Sequence, residues 1–267
     1  MARRPSQPEP TPAGALPDER QRLILEHLHT HGRVIAAEFA AAMAISEDSI
    51  RRDLRELAAQ GLCQRVYGGA LPVATSTPLK QRQEKHAGRK MALARAAASL
   101  VQKGQVLILD AGSTNSALAA VLPTGLGLTV ITNAPDIAQR LIEREGFEIL
   151  LIGGRIDVPI GASVGAQALQ EVERLRADLC FPGACAIDPV HGLWGLDSEE
   201  SRLKRAMIEV SRQTIIVATD DKLGGSATYQ VSGIDTVHHL VVESSAPRAL
   251  CAAFARRGVN VVRAEPE

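Results

Sequence analysis

Residues 46–57 read Ser-Glu-Asp-Ser-Ile-Arg-Arg-Asp-Leu-Arg-Glu-Leu, and no other stretch constrains the fold as tightly. Ile50, Leu54 and Leu57 recur at helical spacing as one apolar stripe, which predicts a helix buried along one side. Ser49, Arg51, Arg52 and Arg55 fall mainly off that stripe, where they can meet solvent or a polyanion. Ser46 stands as the N-cap, with Glu47 and Asp48 in the first turn, where the helix dipole favours negative charge. The third helical position is Ser49 rather than Glu or Gln, so there is no capping box.

The preceding residues supply a partner for this helix. Residues 20–31 predict a helix with Ile24, Leu25 and Leu28 inward, closed by Gly32. Residues 34–43 predict a second with Phe39, Ala40 and Met43 as its apolar side, and Ala44-Ile45-Ser46 is a tight connection into the third. After Leu57, Gly61 reads as a helix stop, and residues 62–67 alternate before Gly68-Gly69 as a small β-wing would. The expectation is a winged helix-turn-helix over residues 18–72, with the helix-turn-helix at about 34–53. Between Asp18 and Ala70, seven Lys and Arg (Arg20, Arg22, Arg33, Arg51, Arg52, Arg55, Arg65) face eight carboxylates (Asp18, Glu19, Glu26, Glu38, Glu47, Asp48, Asp53, Glu56). The domain therefore has no basic bulk, and only the local clustering of arginines argues for phosphate contact. An ordinary solvated surface helix satisfies the same pattern, so the residues alone leave both readings open.

The remaining chain suits one further, larger domain. Residues 1–17 hold five prolines (Pro5, Pro8, Pro10, Pro12, Pro17) and almost no apolar mass, which predicts a disordered tail without the apolar core of a signal peptide. No run reaches the length of a membrane span, so the expectation is a cytoplasmic protein with no membrane partner. Aromatic residues make up only 3% of the chain, which argues against base stacking as a mode of recognition. Cys63, Cys180, Cys185 and Cys251 show no paired spacing and no clustered His; they read as small buried residues, with no metal and no cofactor expected.

A polar stretch rich in Thr and Gln predicts a linker over residues 73–89, and a second domain follows over residues 90–262. There, apolar runs at 106–109, 129–131, 148–152, 179–181, 214–218, 239–242 and 259–262 alternate with helical segments at 115–122, 135–144, 166–175, 198–210 and 247–257. That order predicts a mainly parallel sheet covered on both faces, with ligands at the carboxyl ends of its strands. The first of those ends is Asp110-Ala111-Gly112-Ser113-Thr114-Asn115, whose small residues and hydroxyls precede a helix N-terminus suited to an anion. Others are Thr132-Asn133, Gly153-Gly154-Arg155 and Thr219-Asp220-Asp221-Lys222. Glycine and serine follow strands for turn geometry alone, but four such ends in one domain favour a pocket for a small polyhydroxylated anion.

Residues 19–72 resemble the N-terminal domain of the DeoR family of bacterial transcriptional regulators. The family reads approximately Val-Ser-x-x-Thr-Ile-Arg-Arg-Asp-Leu at the third helix, then a Gly-x-x-x-Arg wing ending in Gly-Gly-Ala. This chain has Ile45-Ser46-Glu47-Asp48-Ser49-Ile50-Arg51-Arg52-Asp53-Leu54, then Gly61, Arg65 and Gly68-Gly69-Ala70. It departs at Ile35, where the family usually has Ser or Thr, so a capping or phosphate-contacting hydroxyl is lost. Residues 90–242 are similar to the family's sensor domain through Asp110–Thr114, Thr132-Asn133, Gly153-Gly154, Phe181-Pro182-Gly183, residues 188–193, residues 204–207 and residues 220–224. The resemblance implies DNA contacts from Ser46, Ser49, Arg51, Arg52, Arg55, Arg65, Gly68 and Gly69. It implies an α/β sensor fold similar to ribose-5-phosphate isomerase, and a phosphorylated sugar as effector. Ser113, Thr114 and Lys222 would take the phosphate, and Thr132, Asn133, Asp188 and Lys204 the hydroxyls, with Asp110, Gly112, Gly153 and Gly154 completing the pocket.

The isomerases carry acid/base carboxylates in an Asp-Gly-Ala-Asp-Glu segment. The comparable stretch here is Pro182-Gly183-Ala184-Cys185-Ala186, which has none, while Glu199 and Glu200 read as solvated helix-face residues. The expectation is a non-enzymatic repressor of sugar catabolic genes, acting as a homo-oligomer on a double-stranded operator and released by its effector. The competing readings are an isomerase-like enzyme with a fused DNA-binding module, and a scaffold whose helix-turn-helix docks on protein.

Overall fold

The computed structural model describes residues 17–31, 34–60, 62–66, 68–72 and 79–265, and the chain divides into two compact units between residues 74 and 75. The expectations for residues 1–16, Gly32, Gly61, Tyr67 and residues 73–78 lie outside the described residues. Pro17, assigned to the tail on sequence, instead opens a helix, because its fixed φ suits a first helical position.

The first unit runs α1 (Pro17–His31), β1 (Val34–Ile35), α2 (Ala36–Ala42), α3 (Glu47–Ala59), β2 (Cys63–Val66) and β3 (Gly69–Pro72). The apolar stripe of α3 is fully buried through Ile50, Leu54 and Leu57, and packs with Ile24 and Leu28 of α1 and Phe39 and Ala40 of α2. Residues 34 and 35, expected inside the second helix, form an edge strand instead. Both are β-branched, and they pair antiparallel with Ala70 and Gly69, giving a sheet ordered β1-β3-β2. Ile35 then caps α2 without a side-chain hydrogen bond, as the loss of a hydroxyl there requires.

The helical pattern of α3 also hides a charge. Asp53 is buried, and Arg20 of α1 grips its carboxylate through both Nε and a terminal nitrogen, the latter 2.9 Å from Oδ1. This pair fixes the angle between α1 and α3 through a polar contact inside an apolar core.

The second unit begins with α4 (Leu79–Glu84) and α5 (Ala87–Ala98), so most of the segment expected to be a linker is helical. Its polar residues are spent on this unit rather than on solvent: Arg82 donates to the carbonyl of Ile160 at 3.0 Å, and Gln83 to Asp136 at 2.9 Å. Then come β4 (Val106–Leu109), α6 (Ser113–Val121), β5 (Leu128–Thr132), α7 (Pro135–Ile142), β6 (Phe147–Leu151), β7 (Arg155–Asp157), β8 (Ala162–Val164), α8 (Ala166–Glu173) and β9 (Ala177–Phe181). The chain continues with β10 (Ala186–Asp188), β11 (Gly192–Gly195), α9 (Ser198–Glu209), β12 (Ser211–Val217), β13 (Tyr229–Ser232), β14 (His239–Val242), α10 (Arg248–Ala255) and β15 (Asn260–Arg263).

The seven expected strands form one parallel sheet, ordered β15-β14-β12-β9-β4-β5-β6. Alternate residues serve opposite faces: Leu107, Leu179 and Ile215 pack with α5, α6 and α7, while Ile108, Cys180 and Ile216 pack with α8, α9 and α10. The small antiparallel strands β7, β8, β10, β11 and β13 were not anticipated; they are three or four residues long, β7–β8 and β10–β11 pairing as hairpins and β13 adding to β11. No helix among the described residues is long and apolar enough to cross a membrane.

Replacing Asp53 with Ala would remove the carboxylate that the half-buried Arg20 grips with two nitrogens. Loss of one partner of a buried pair costs about 3 kcal/mol. Amide exchange along α3 in the full chain should accelerate accordingly, and unchanged exchange would show the pair to be dispensable.

Candidate functional site

Helix α3 places the sequence-predicted DNA contacts as follows. Ser46 caps it, its Oγ accepting from the Ser49 amide at 3.2 Å and lying 2.9 Å from the Ser49 Oγ. Arg51, Arg52 and Arg55 are exposed. Arg51 is already paired with Glu47 at 2.8 Å, one turn back, and the Arg55 Nε donates to the carbonyl of Arg51 at 3.3 Å. Arg52 makes no ion pair among the described residues and is exposed. In the wing, Arg65 is exposed on β2 and Gly68 is exposed at the turn. Gly69 is different: it is buried, and a Cβ there would lie 1.9 Å from the carbonyl oxygen of Val34. It is glycine so that β1 can approach β3, and it presents nothing to a ligand.

In the second unit, strand order reverses beside β4. From β4 the chain builds outward through β5 and β6 in one direction, then through β9, β12, β14 and β15 in the other. A crevice opens at the carboxyl ends of the strands at such a switch point. It is lined by Gly112, Ser113 and Thr114 from the β4 end and by Gly183 and Cys185 from the β9 end. Glu200 and Lys204 of α9, Lys222 and Arg82 close it.

Each side has a local cause. Gly112 takes φ of +148° as the N-cap of α6 and carries no side chain to cap the helix, so the first-turn amides of Ser113, Thr114 and Asn115 point toward the crevice. Asn115 holds this turn by donating to the carbonyls of Asp110 at 2.8 Å and Phe181 at 2.7 Å, tying the ends of β4 and β9 together. Behind it, Asp110 accepts the Gly183 amide at 2.7 Å and lies 3.4 Å from the Lys204 ammonium, which also hydrogen-bonds Glu200. Burial alone would pull the Lys204 pKa down, but Asp110 and Glu200 outweigh it and hold the ammonium above its usual range. Lys204 thus serves two carboxylates at once in the floor, where burial raises the Asp110 pKa. Lys222 has a lowered pKa, first through burial, with Arg82 and Lys204 adding to the effect against Cys185 and Asp221. Its position favours an incoming anion.

Of the residues expected in the pocket, Gly112, Ser113, Thr114, Lys204 and Lys222 line it, and Asp110 supports it from beneath. Thr132, Asn133, Gly153, Gly154 and Asp188 do not line it. Thr132 is buried with its Oγ1 accepting the Ala134 amide; Asn133 bridges the Ala111 amide and the Ser163 carbonyl, positioning the β4 loop. Gly153 donates to Glu171, and Gly154 lies against Ala168 of α8. Asp188 spends its carboxylate on the amides of Val190 and His191, each at 2.8 Å, within the β10–β11 turn.

Among the lining residues that sequence reasoning missed, three carry functional side chains: Arg82, Cys185 and Glu200. Arg82 was concealed in the supposed linker, and Cys185 was read as buried whereas it is half-exposed on the crevice wall. Glu200 was read as solvated; its i,i+4 spacing to Lys204 was the available signal. Among the described residues, no group of three or more His, Cys, Asp or Glu side chains could hold a metal ion.

Residues 20–76 match the DeoR-like helix-turn-helix domain, and residues 85–244 match the DeoR C terminal sensor domain. The chain belongs to the DeoR family. It is 30% identical over 249 residues to a putative aga operon transcriptional repressor of Escherichia coli O157:H7, covering 91% of this chain and 93% of that protein. It is 31% identical to the transcriptional repressor GlcR of Bacillus subtilis, covering 94% and 97%. With the glycerol-3-phosphate regulon repressor of Escherichia coli K12 it shares 32% identity, covering 86% and 92%. Among solved structures, ribose 5-phosphate isomerase A of Methanocaldococcus jannaschii is 15% identical, covering 51% of this chain and 53% of its own, with a TM-score of 0.37. The DeoR-family chain is accordingly a DNA-binding transcriptional regulator rather than an enzyme.

A titratable cation sits behind the crevice. Lys90 of α5 donates to the carbonyls of Arg82 and of Lys85, the latter at 2.8 Å, and its pKa is lowered to about 8 by burial, then by the charges of Lys222 and Arg82. A lysine so placed loses its charge as pH rises through about 8, whereas a phosphate ester is already a dianion above pH 7. Affinity for an anion held in the crevice, with a phosphate ester as the probe, should therefore fall between pH 7 and 9 by about threefold, the effect of one partly hydrated charge. Isothermal titration at these pH values tests this, and a slope that persists in Lys90→Met would assign it elsewhere.

Proposed function

We propose that this regulator represses genes of sugar or sugar-phosphate catabolism, holding a double-stranded operator with α3 and the wing until a phosphorylated sugar enters the switch-point crevice. The observation that carries the effector reading is the meeting of an uncapped α6 N-terminus with the Lys222 ammonium beside hydroxyls of Ser113 and Thr114. Relatives named for the aga operon and the glycerol-3-phosphate regulon support the class of gene controlled. The functional division is a DNA-binding unit over residues 18–72 and a sensor unit beginning at α4, acting in the cytoplasm where the DNA is.

Within α3, Arg52 and Ser49 are the favoured base contacts, because Arg51 must first exchange Glu47 for DNA. Ser46 orders the helix end, while Arg55, Arg65 and Gly68 suit backbone phosphates. Gel-shift titration of the promoter DNA upstream of the regulated genes tests both halves of the reading. Arg52→Ala should weaken binding by roughly tenfold to a hundredfold, as loss of a bidentate Arg–base contact does. Lys222→Ala should abolish release by the sugar phosphate that frees the wild-type protein. Undiminished binding in the first variant, or normal release in the second, would remove that residue from its role.

One such DNA-binding unit reads one half-site, so the working form is a homo-oligomer. Support comes from the sheet edge: β6 exposes Leu150 and Leu151, whereas the opposite edge, β15, carries Asn260 and Arg263. Natural sheets blunt free edges with polar side chains, and an aliphatic edge calls for a cover. Sedimentation velocity should show a dimer or larger species that Leu151→Lys shifts toward monomer; a monomeric wild-type chain would end this reading.

A further inference from the structure

The two sides of the crevice differ in their chemistry. On the α6 side, first-turn amides and the hydroxyls of Ser113 and Thr114 suit an anion, whereas the loop from β9 to β10 brings in Cys185. The Cys185 amide donates to the Trp194 carbonyl of β11 at 3.3 Å, which holds the residue at the foot of the β10–β11 hairpin. Cys63, Cys180 and Cys251 are buried, and Cys185 alone of the four cysteines is half-exposed. Burial pulls the ammonium pKa of Lys204 and of Lys222 down; Asp110 and Glu200 at the first, and Cys185 at both, push it up. The Cys185 sulfur therefore lies within electrostatic reach of both ammoniums.

Two further groups show that the crevice is built for an occupant. Thr114 is only 7% exposed and lines the crevice, yet its hydroxyl makes no hydrogen bond among the described residues. A buried hydroxyl in that state costs free energy until a partner meets it. The Lys222 ammonium likewise makes no hydrogen bond or close ion pair among the described residues. Free acceptors for sugar hydroxyls are few, because Asp110 and Glu200 are held by Lys204. The enclosed volume is about 70 Å3, small beside the roughly 300–1,000 Å3 of common ligand pockets. These limits suit a phosphate on a short carbon chain. A thiol is a weak hydrogen-bond donor and acceptor, so it reads a hydroxyl poorly; its strength is addition to an electrophilic carbon.

We infer that Cys185 is a covalent contact for the effector, and that the crevice therefore selects a short-chain phosphorylated aldehyde over the corresponding alcohol. The inference rests on the effector reading proposed above and adds the chemical class of the ligand. With the phosphate held by the α6 amides and Lys222, the carbonyl carbon at the other end of the chain lies toward Cys185. The sulfur forms a bond to that carbon, the π bond of the carbonyl breaks, and the thiol proton ends on the former carbonyl oxygen. The product is a thiohemiacetal. Nothing is oxidised and no group leaves, so the step reverses as the ligand departs. Holding both partners in one site replaces an encounter in solution with an intramolecular addition. Residues 182–186 contain no carboxylate to take a proton from the neighbouring carbon, so the adduct is held rather than turned over.

Titration of the full chain with inorganic phosphate, glycerol 3-phosphate and glyceraldehyde 3-phosphate labelled with carbon-13 at its aldehyde carbon tests this, by calorimetry and NMR. In the wild type, the labelled carbon should give a bound signal with sulfur and hydroxyl substituents, distinct from the free aldehyde and its hydrate. The aldehyde should bind about tenfold more tightly than glycerol 3-phosphate, a small part of what intramolecular addition can supply. In Cys185→Ser, which keeps the side chain small and polar, the signal should vanish and the two affinities converge. Wild-type protein that binds glycerol 3-phosphate but gives no such signal with the aldehyde overturns the inference and leaves the effector reading standing, whatever the folding of the variant. A signal that persists in Cys185→Ser overturns it too, as does borohydride trapping of the labelled carbon on Lys222, the mark of an imine. Absence of binding by all three probes overturns the effector reading and this inference together.

Discussion

The sensor unit depends on a buried lysine. Lys204 lies under the switch point with Asp110 on one side and Glu200 on the other, and the three join the end of β4, the loop after β9 and the first turns of α9. Desolvating such charges costs several kcal/mol per ion, so the arrangement is favourable only with every lone pair met. The Gly183 amide on Asp110 helps meet that condition. The consequence is a floor of fixed geometry whose charges are committed to one another, above which the α6 amides and Lys222 are left for a ligand. The same carboxylates that would suit acid/base chemistry are thereby held as counter-ions, which accords with a family of regulators.

The DNA-binding unit uses a buried charge differently. Arg20 and Asp53 fix α1 against α3 inside an otherwise apolar core, so that the Arg52 side of α3 faces outward at a set angle. Because carboxylates and cations nearly cancel across the unit, attraction to DNA has to come from where the arginines stand rather than from bulk charge. That placement depends on an N-cap at Ser46, on burial of Ile50, Leu54 and Leu57, and on the close approach of β1 to Gly69.

Much of this was legible from residue order, for identifiable reasons. The central strands of the main sheet are buried on both faces, so they appear as continuous apolar runs too short for a helix. The α3 helix carried its own cap and stripe. What escaped was written in contacts remote in sequence. Polar composition made residues 79–89 look like a linker, because the partners of Arg82 and Gln83 lie more than thirty positions away. Thr132, Asn133 and Asp188 looked like ligands because they follow strands or sit in turns, yet each satisfies backbone groups of neighbouring loops. A side chain's chemistry is visible in sequence, but whether its hydrogen bonds are already spent is not.

Sequence by itself determined the two-part plan, the outward arginine face of α3, the parallel α/β order and the absence of any carboxylate in residues 182–186, since all of these follow from local period, capping and residue identity. Tertiary structure alone decided which strand ends converge. The reversal beside β4 brings the residue 110–114 loop to the β9 end, and folding carries Glu200, Lys222 and Arg82 to the same place. It likewise made Asp53 a buried clamp and turned Gly69 from a wing contact into a packing necessity. The physical reason is common to all: strand order and burial are properties of packing between distant segments, and electrostatic roles are assigned by the neighbours that packing provides.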